Sequence, residues 1–182
     1  MKKLKVNLFD SLGPDNYYEY WQSHNFSSEF EPKKVQWVYE SRGKGHEKYD
    51  GVTVFTDKDI LSPWVDRVDT KYKIAWLVEC KAIHPFSYKQ VVQFEDKFDY
   101  IFTFDEELLK RGDKYIKNLI GTSRVSNKDA GVHPKTKLLS LIASKKQWTK
   151  GHKLRHIVAE SIKDKYPVDL WGTAYKPFGL NN

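Results

Sequence analysis

The chain has 182 residues, 40% of them hydrophobic and 15% aromatic, with a formal net charge of +7. That composition excludes a disordered tail, and the length suits one domain plus part of a second. The lone Cys80 excludes an intrachain disulfide, no segment approaches the roughly eighteen apolar residues of a membrane span, and the charge favours anionic partners: nucleotide phosphates, nucleic acid or acidic glycans.

In chain order, Leu4–Phe9 reads as a first strand, left by a loop with Gly13-Pro14. Met1-Lys-Lys-Leu-Lys5 has the charge of a signal-peptide start, but Asn7 and Asp10 interrupt any apolar stretch, so the expectation is a soluble cytoplasmic protein. Asn16–His24 carries Tyr17, Tyr18, Tyr20 and Trp21, a cluster that suits either a core or a sugar platform. Val35–Tyr39 and Val52–Phe55 read as further strands around a glycine-containing loop, Glu40–His46. Asp57-Lys-Asp59 follows. An Asp-x-Asp after a strand holds metal and diphosphate in some sugar transferases, yet Asp59 equally suits the cap of a helix over Ile60–Val68.

Ile74–Glu79 is the most apolar strand of the first half, and it ends in a carboxylate. A glutamate at the outgoing end of a central strand sits on the ligand edge of a parallel sheet, where a general base belongs. A helix over Ser87–Lys97, a strand over Phe98–Asp105, a short helix over Leu108–Tyr115 and a strand over Ile116–Ile120 follow. Thr122–Pro134 has linker composition, which divides the chain into a first domain over 1–125, a linker over 126–136 and a second unit over 137–182. Within Lys137–Gly172 the pattern is strand, basic loop, helix, strand. Leu138, Leu139, Leu141, Ile142 and Ala143 read as a strand buried on both faces, and Leu154, Ile157, Val158 and Ile162 as one buried helical stripe. Lys145, Lys146, Lys150, His152, Lys153 and Arg155 gather where the helix starts, although its macrodipole already places positive charge there. An anion would relieve that, and a solvated basic face is the plainer reading. The six histidines show no zinc spacing; His152 and His156 share a helix face without further ligands.

Two stretches carry a resemblance. Lys135-Thr-Lys-Leu-Leu-Ser-Leu-Ile-Ala-Ser144 with Gly151-His-Lys-Leu-Arg155 and Val168-Asp-Leu-Trp-Gly172 is similar to the start of the nucleotide-sugar domain of glycosyltransferase family 10, the α-1,3-fucosyltransferases. Glu79 followed by Phe98-Asp-Tyr-Ile-Phe-Thr-Phe-Asp-Glu-Glu-Leu108 resembles that family's pattern of a loop Glu before a Phe-Asp-Tyr strand. The resemblance implies an α/β, Rossmann-like parallel sheet of GT-B type, with a first domain and an incomplete donor-binding domain. It implies Glu79 as catalytic base and Arg155 as the contact to the donor diphosphate, supported by Lys153, Ser144 and Lys150, in a cleft between domains. The chain departs from the pattern at Lys145, where the family commonly has Asn.

The activity so implied is transfer of fucose from GDP-fucose, or a related GDP-sugar, to a glycan acceptor, with no metal or further cofactor. Animal members carry a membrane anchor, so the bacterial or viral kind is expected. The Glu-Asn and Thr-Glu-Lys segments that would complete the donor site are missing, so the chain is expected to be inactive alone and to dimerise or join a complementing polypeptide. The alternative is a Mg-dependent nuclease of the restriction-endonuclease-like kind, built on Asp50, Glu79 and Lys81, for which a basic chain would suit DNA.

Overall fold

The structure is a computed structural model, and it describes residues 4–9, 35–39, 48–118 and 130–175. The aromatic cluster at 16–24, the loop at 40–46 and most of the expected linker lie outside the described residues. The chain divides into two compact units, Met1–Ala130 and Gly131–Asn182.

The first unit is a mixed α/β, Rossmann-like arrangement. Its strands are β1 (Leu4–Phe9), β2 (Val35–Tyr39), β3 (Lys48–Thr56), β4 (Asp69–Trp76), β5 (Tyr100–Thr103) and β6 (Tyr115–Lys117). They form one sheet in the order β2-β1-β3-β4-β5-β6, with every neighbouring pair parallel. Such a sheet needs apolar residues on both faces, and Val6–Phe9 and Thr53–Thr56 are buried throughout. One face holds Phe9, Phe55, Ala75 and Ile101 against Val65, Tyr88, Val91 and Phe98, while Val6, Leu8, Val54 and Ile74 cluster separately. Phe9 stacks on Phe55 at 4.8 Å between ring centroids, and Phe55 meets Phe98 edge-on at 6.3 Å.

The helices among the described residues of this unit are short: α1 (Trp64–Arg67), α2 (Pro85–Gln93) and α3 (Glu106–Leu109). Pro85 opens α2 because its missing N–H falls where no helical partner exists. The expected Ser87–Lys97 helix therefore starts earlier, and it stops at Gln93 before a separate 3₁₀ turn, Glu95–Lys97. Asp105 caps α3 by accepting from the N–H groups of Glu107 and Leu108, both at 3.0 Å, so the helix precedes the expected Leu108–Tyr115 span. The expected Ile60–Val68 helix is likewise replaced by a 3₁₀ turn over Asp57–Leu61 and then α1. Asp59 is not a cap; it is buried within that turn.

The second unit contains β7 (Leu139–Ile142), α4 (Lys150–Ile162) and β8 (Val168–Trp171), with β7 and β8 paired in parallel. The burial expected here is corrected. Leu138, Leu139 and Ile142 are exposed, as are Leu154, Ile157 and Val158 on α4, and among the described residues of this unit only Ala143 and Ala159 are fully enclosed. The more enclosed face of α4 is His152, His156, Ala159 and Ile162, a set spaced by three and four residues. A two-stranded sheet offers too little surface to cover both apolar stripes.

Candidate functional site

The strand order reverses between β2-β1 and β3-β4, which makes the outgoing ends of β1 and β3 the switch point of the sheet. Asp57 stands directly after β3 there. Its backbone is left-handed, φ 38°, the one such non-glycine residue among those described. That conformation in a non-glycine residue costs on the order of 1–3 kcal/mol and persists only where its surroundings hold it.

The surroundings here are the peptides after β4. Asp57 Oδ1 accepts from the N–H of Val78 at 3.0 Å and of Glu79 at 3.1 Å, and Oδ2 accepts from Glu79 N–H at 3.3 Å. On the other side of residue 79, the Tyr88 hydroxyl on α2 donates to the Glu79 carbonyl at 2.9 Å. The Glu79 backbone is thus tied at both its donor and its acceptor. These bonds also explain why β4 stops at Trp76 and not at Glu79: the Val78 and Glu79 amides turn to a carboxylate instead of a neighbouring strand. The chain then turns over Cys80, whose carbonyl accepts from Ile83 and His84.

The Glu79 side chain is half-buried and makes no hydrogen bond or ion pair with another described residue, Lys81 included. Asp57 differs. Burial holds its carboxyl above the ordinary carboxylate range, against the opposing pull of the Glu79 and Val78 amides and of nearby His84. Burial likewise pushes the Tyr88 phenol up, so it stays a neutral donor to the Glu79 carbonyl. No feature of the sequence marked Asp57 for this role, because a left-handed turn made by Asp instead of Gly carries no pattern of its own.

Asp50 lies on β3 six residues before Thr56, which pairs with Trp76, the last residue of β4. At about 3.3 Å per residue that places Asp50 roughly 20 Å from the edge that carries Glu79 and Lys81. The backbone register thus puts residue 50 toward the incoming end of β3, away from the edge where Glu79 stands. Among the described residues no group of three or more His, Cys, Asp or Glu is arranged to hold a metal.

In the second unit, the outgoing ends of β7 and β8 are locked together. Gly172, φ 99°, approaches Ala143 so closely that a Cβ would stand 2.3 Å from the Ala143 carbonyl oxygen. Lys145 N–H donates to Thr173 Oγ1 at 3.2 Å, Lys146 N–H to Ser144 Oγ at 3.4 Å, and His156 Nε2 meets the Ser144 carbonyl at 3.0 Å. Ser144 is therefore engaged in shaping the loop through both its oxygens. Thr149 caps α4: its hydroxyl accepts from His152 N–H, and His152 Nδ1 accepts from Thr149 N–H, both at 3.3 Å. The N–H groups of Lys150 and Gly151 remain as open donors among the described residues. The first turn holds no acid.

Lys145, Lys150, Lys153 and Arg155 are exposed and have no carboxylate partner among the described residues, whereas Lys163, further along the same helix, pairs with Glu160 at 2.5 Å. Lys146 instead stands over the Trp148 ring, 5.1 Å from its centroid. The second unit thus groups Lys150, Lys153 and Arg155 on the first two turns of one helix. No protein-family model matches the chain, and no curated protein or solved structure is significantly similar to it. No helix among the described residues is long and apolar enough to cross a membrane.

Proposed function

We propose that the chain is a nucleotide-sugar glycosyltransferase of GT-B type, related to the family-10 fucosyltransferases that its sequence resembles. The observation that carries this reading is Glu79, a carboxylate that makes no hydrogen bond or ion pair with another described residue, on a peptide held at both ends, one strand from the switch point of a parallel sheet. In an inverting transfer, the Glu79 carboxylate takes the proton of an acceptor hydroxyl while that oxygen attacks the anomeric carbon. The bond from the anomeric carbon to the diphosphate breaks, and GDP departs with added negative charge. The family resemblance assigns the cations that stabilise such a diphosphate to Arg155, with Lys153 and Lys150, and the Lys150 and Gly151 amides, open among the described residues, are donors of the same sign.

The test compares two residues of one helix. Arg155→Ala is expected to weaken GDP binding by the roughly 1.5–3 kcal/mol of a charge-assisted contact, and Lys163→Ala to leave it unchanged, since Lys163 already pairs with Glu160. Equal effects in a calorimetric titration would remove the anion site. Where the chain transfers from GDP-fucose, alone or with a complementing polypeptide, Glu79→Gln is expected to abolish that transfer while GDP affinity stays within a few-fold; retained turnover would place the base elsewhere.

A further inference from the structure

We propose that Asp57 is a positioning residue for Glu79, a role that rests on the reading of Glu79 as the base. Three features of the geometry converge. Asp57 is the single left-handed non-glycine residue among those described, it is fully buried, and its two carboxylate oxygens are spent on the amides of Val78 and Glu79. Its carboxylate is aimed at the peptide that carries Glu79, whose side chain makes no hydrogen bond or ion pair with another described residue. Tyr88 closes the other side of the same peptide. The pair fixes the backbone from which the Glu79 side chain projects and leaves that side chain itself untied. A base held this way loses little freedom when an acceptor hydroxyl binds.

The left-handed backbone and the carboxylate are separable by substitution. Asp57→Gly keeps the backbone at ease and removes the acceptors, whereas Asp57→Asn keeps one acceptor oxygen and a residue that tolerates φ above zero. In the full 182-residue chain, amide exchange at Val78 and Glu79 is expected to accelerate by about ten- to a hundredfold in Asp57→Gly, with the β1 and β3 core amides unchanged. With GDP-fucose as donor, kcat is expected to fall by about tenfold or more with KM within about threefold, and Asp57→Asn to restore both protection and kcat to within a few-fold. Tyr88→Phe releases only the carbonyl side and serves if Asp57→Gly does not fold; accelerated exchange at residue 79 with reduced kcat is expected there too.

Unchanged exchange at 78 and 79 overturns the clamp. Accelerated exchange with unchanged kcat, or a drop in kcat matched by an equal change in KM, overturns the positioning role. A wild-type chain that neither binds GDP nor turns over GDP-fucose, alone or with a complementing polypeptide, or Glu79→Gln at the wild-type rate, overturns the transferase reading instead, and the exchange data separate that failure from the others.

Discussion

Asp57 and Gly172 occupy corresponding places, the first residue beyond a parallel strand, and both have positive φ for different reasons. At Gly172 the reason is space: the Ala143 carbonyl fills the volume a side chain would need. Gly172→Ala is expected to destabilise the second unit by about 1–3 kcal/mol from the backbone alone, with the overlap in addition, read as an earlier urea transition of the whole chain. At Asp57 the reason is hydrogen bonding, and it has a pH signature. Its carboxyl titrates above the ordinary value of 3.8 in the folded state, so the folded chain keeps that proton longer than the unfolded chain does. The resulting stability is complete below the ordinary value and is lost as pH rises through the raised one. Wild type measured against Asp57→Asn by urea unfolding is therefore expected to lose relative stability as pH rises above the ordinary carboxylate value; a flat difference would show that burial does not govern this group.

At the scale of elements, α4 starts on a reciprocal cap in which a histidine takes the place usually held by Glu or Gln. His152→Gln is expected to preserve helix content and His152→Ala to lose about 1 kcal/mol, with the first-turn amides exchanging faster. The parallel strand over Ile74–Trp76 was legible in the sequence because strands covered on both faces are written as apolar runs, whereas the buried Asn7, Thr53 and Thr56 interrupt that pattern in β1 and β3. Element ends were less legible. Glu79 was found through the apolar run before it, but that run does not record that Val78 and Glu79 leave the ladder for Asp57. The basic loop was visible as a run of charge. Only the structure separates Ser144, which shapes the loop, from Arg155 and Lys153, which make no ion pair with the described residues.

For the whole molecule, the apolar runs of the second unit over-predicted burial. Composition reports which surfaces favour leaving water, and Leu138, Ile142, Leu154 and Ile157 remain more than half exposed. Leu154→Gln and Ile157→Gln are accordingly expected to change stability by no more than about 0.5 kcal/mol, where a buried Leu or Ile reduced to Ala would cost about 2–5 kcal/mol. The same substitutions are expected to reduce concentration-dependent light scattering; a large loss of stability would instead place these side chains in a core. The order of the six-stranded sheet bears on synthesis as well. After β3 each strand joins beside the one made just before it, β4 on β3, β5 on β4, β6 on β5. A chain leaving the ribosome can extend the sheet in the sequence in which its residues arrive, so its growing side presents a single unpaired edge, always that of the newest strand, until the next is translated.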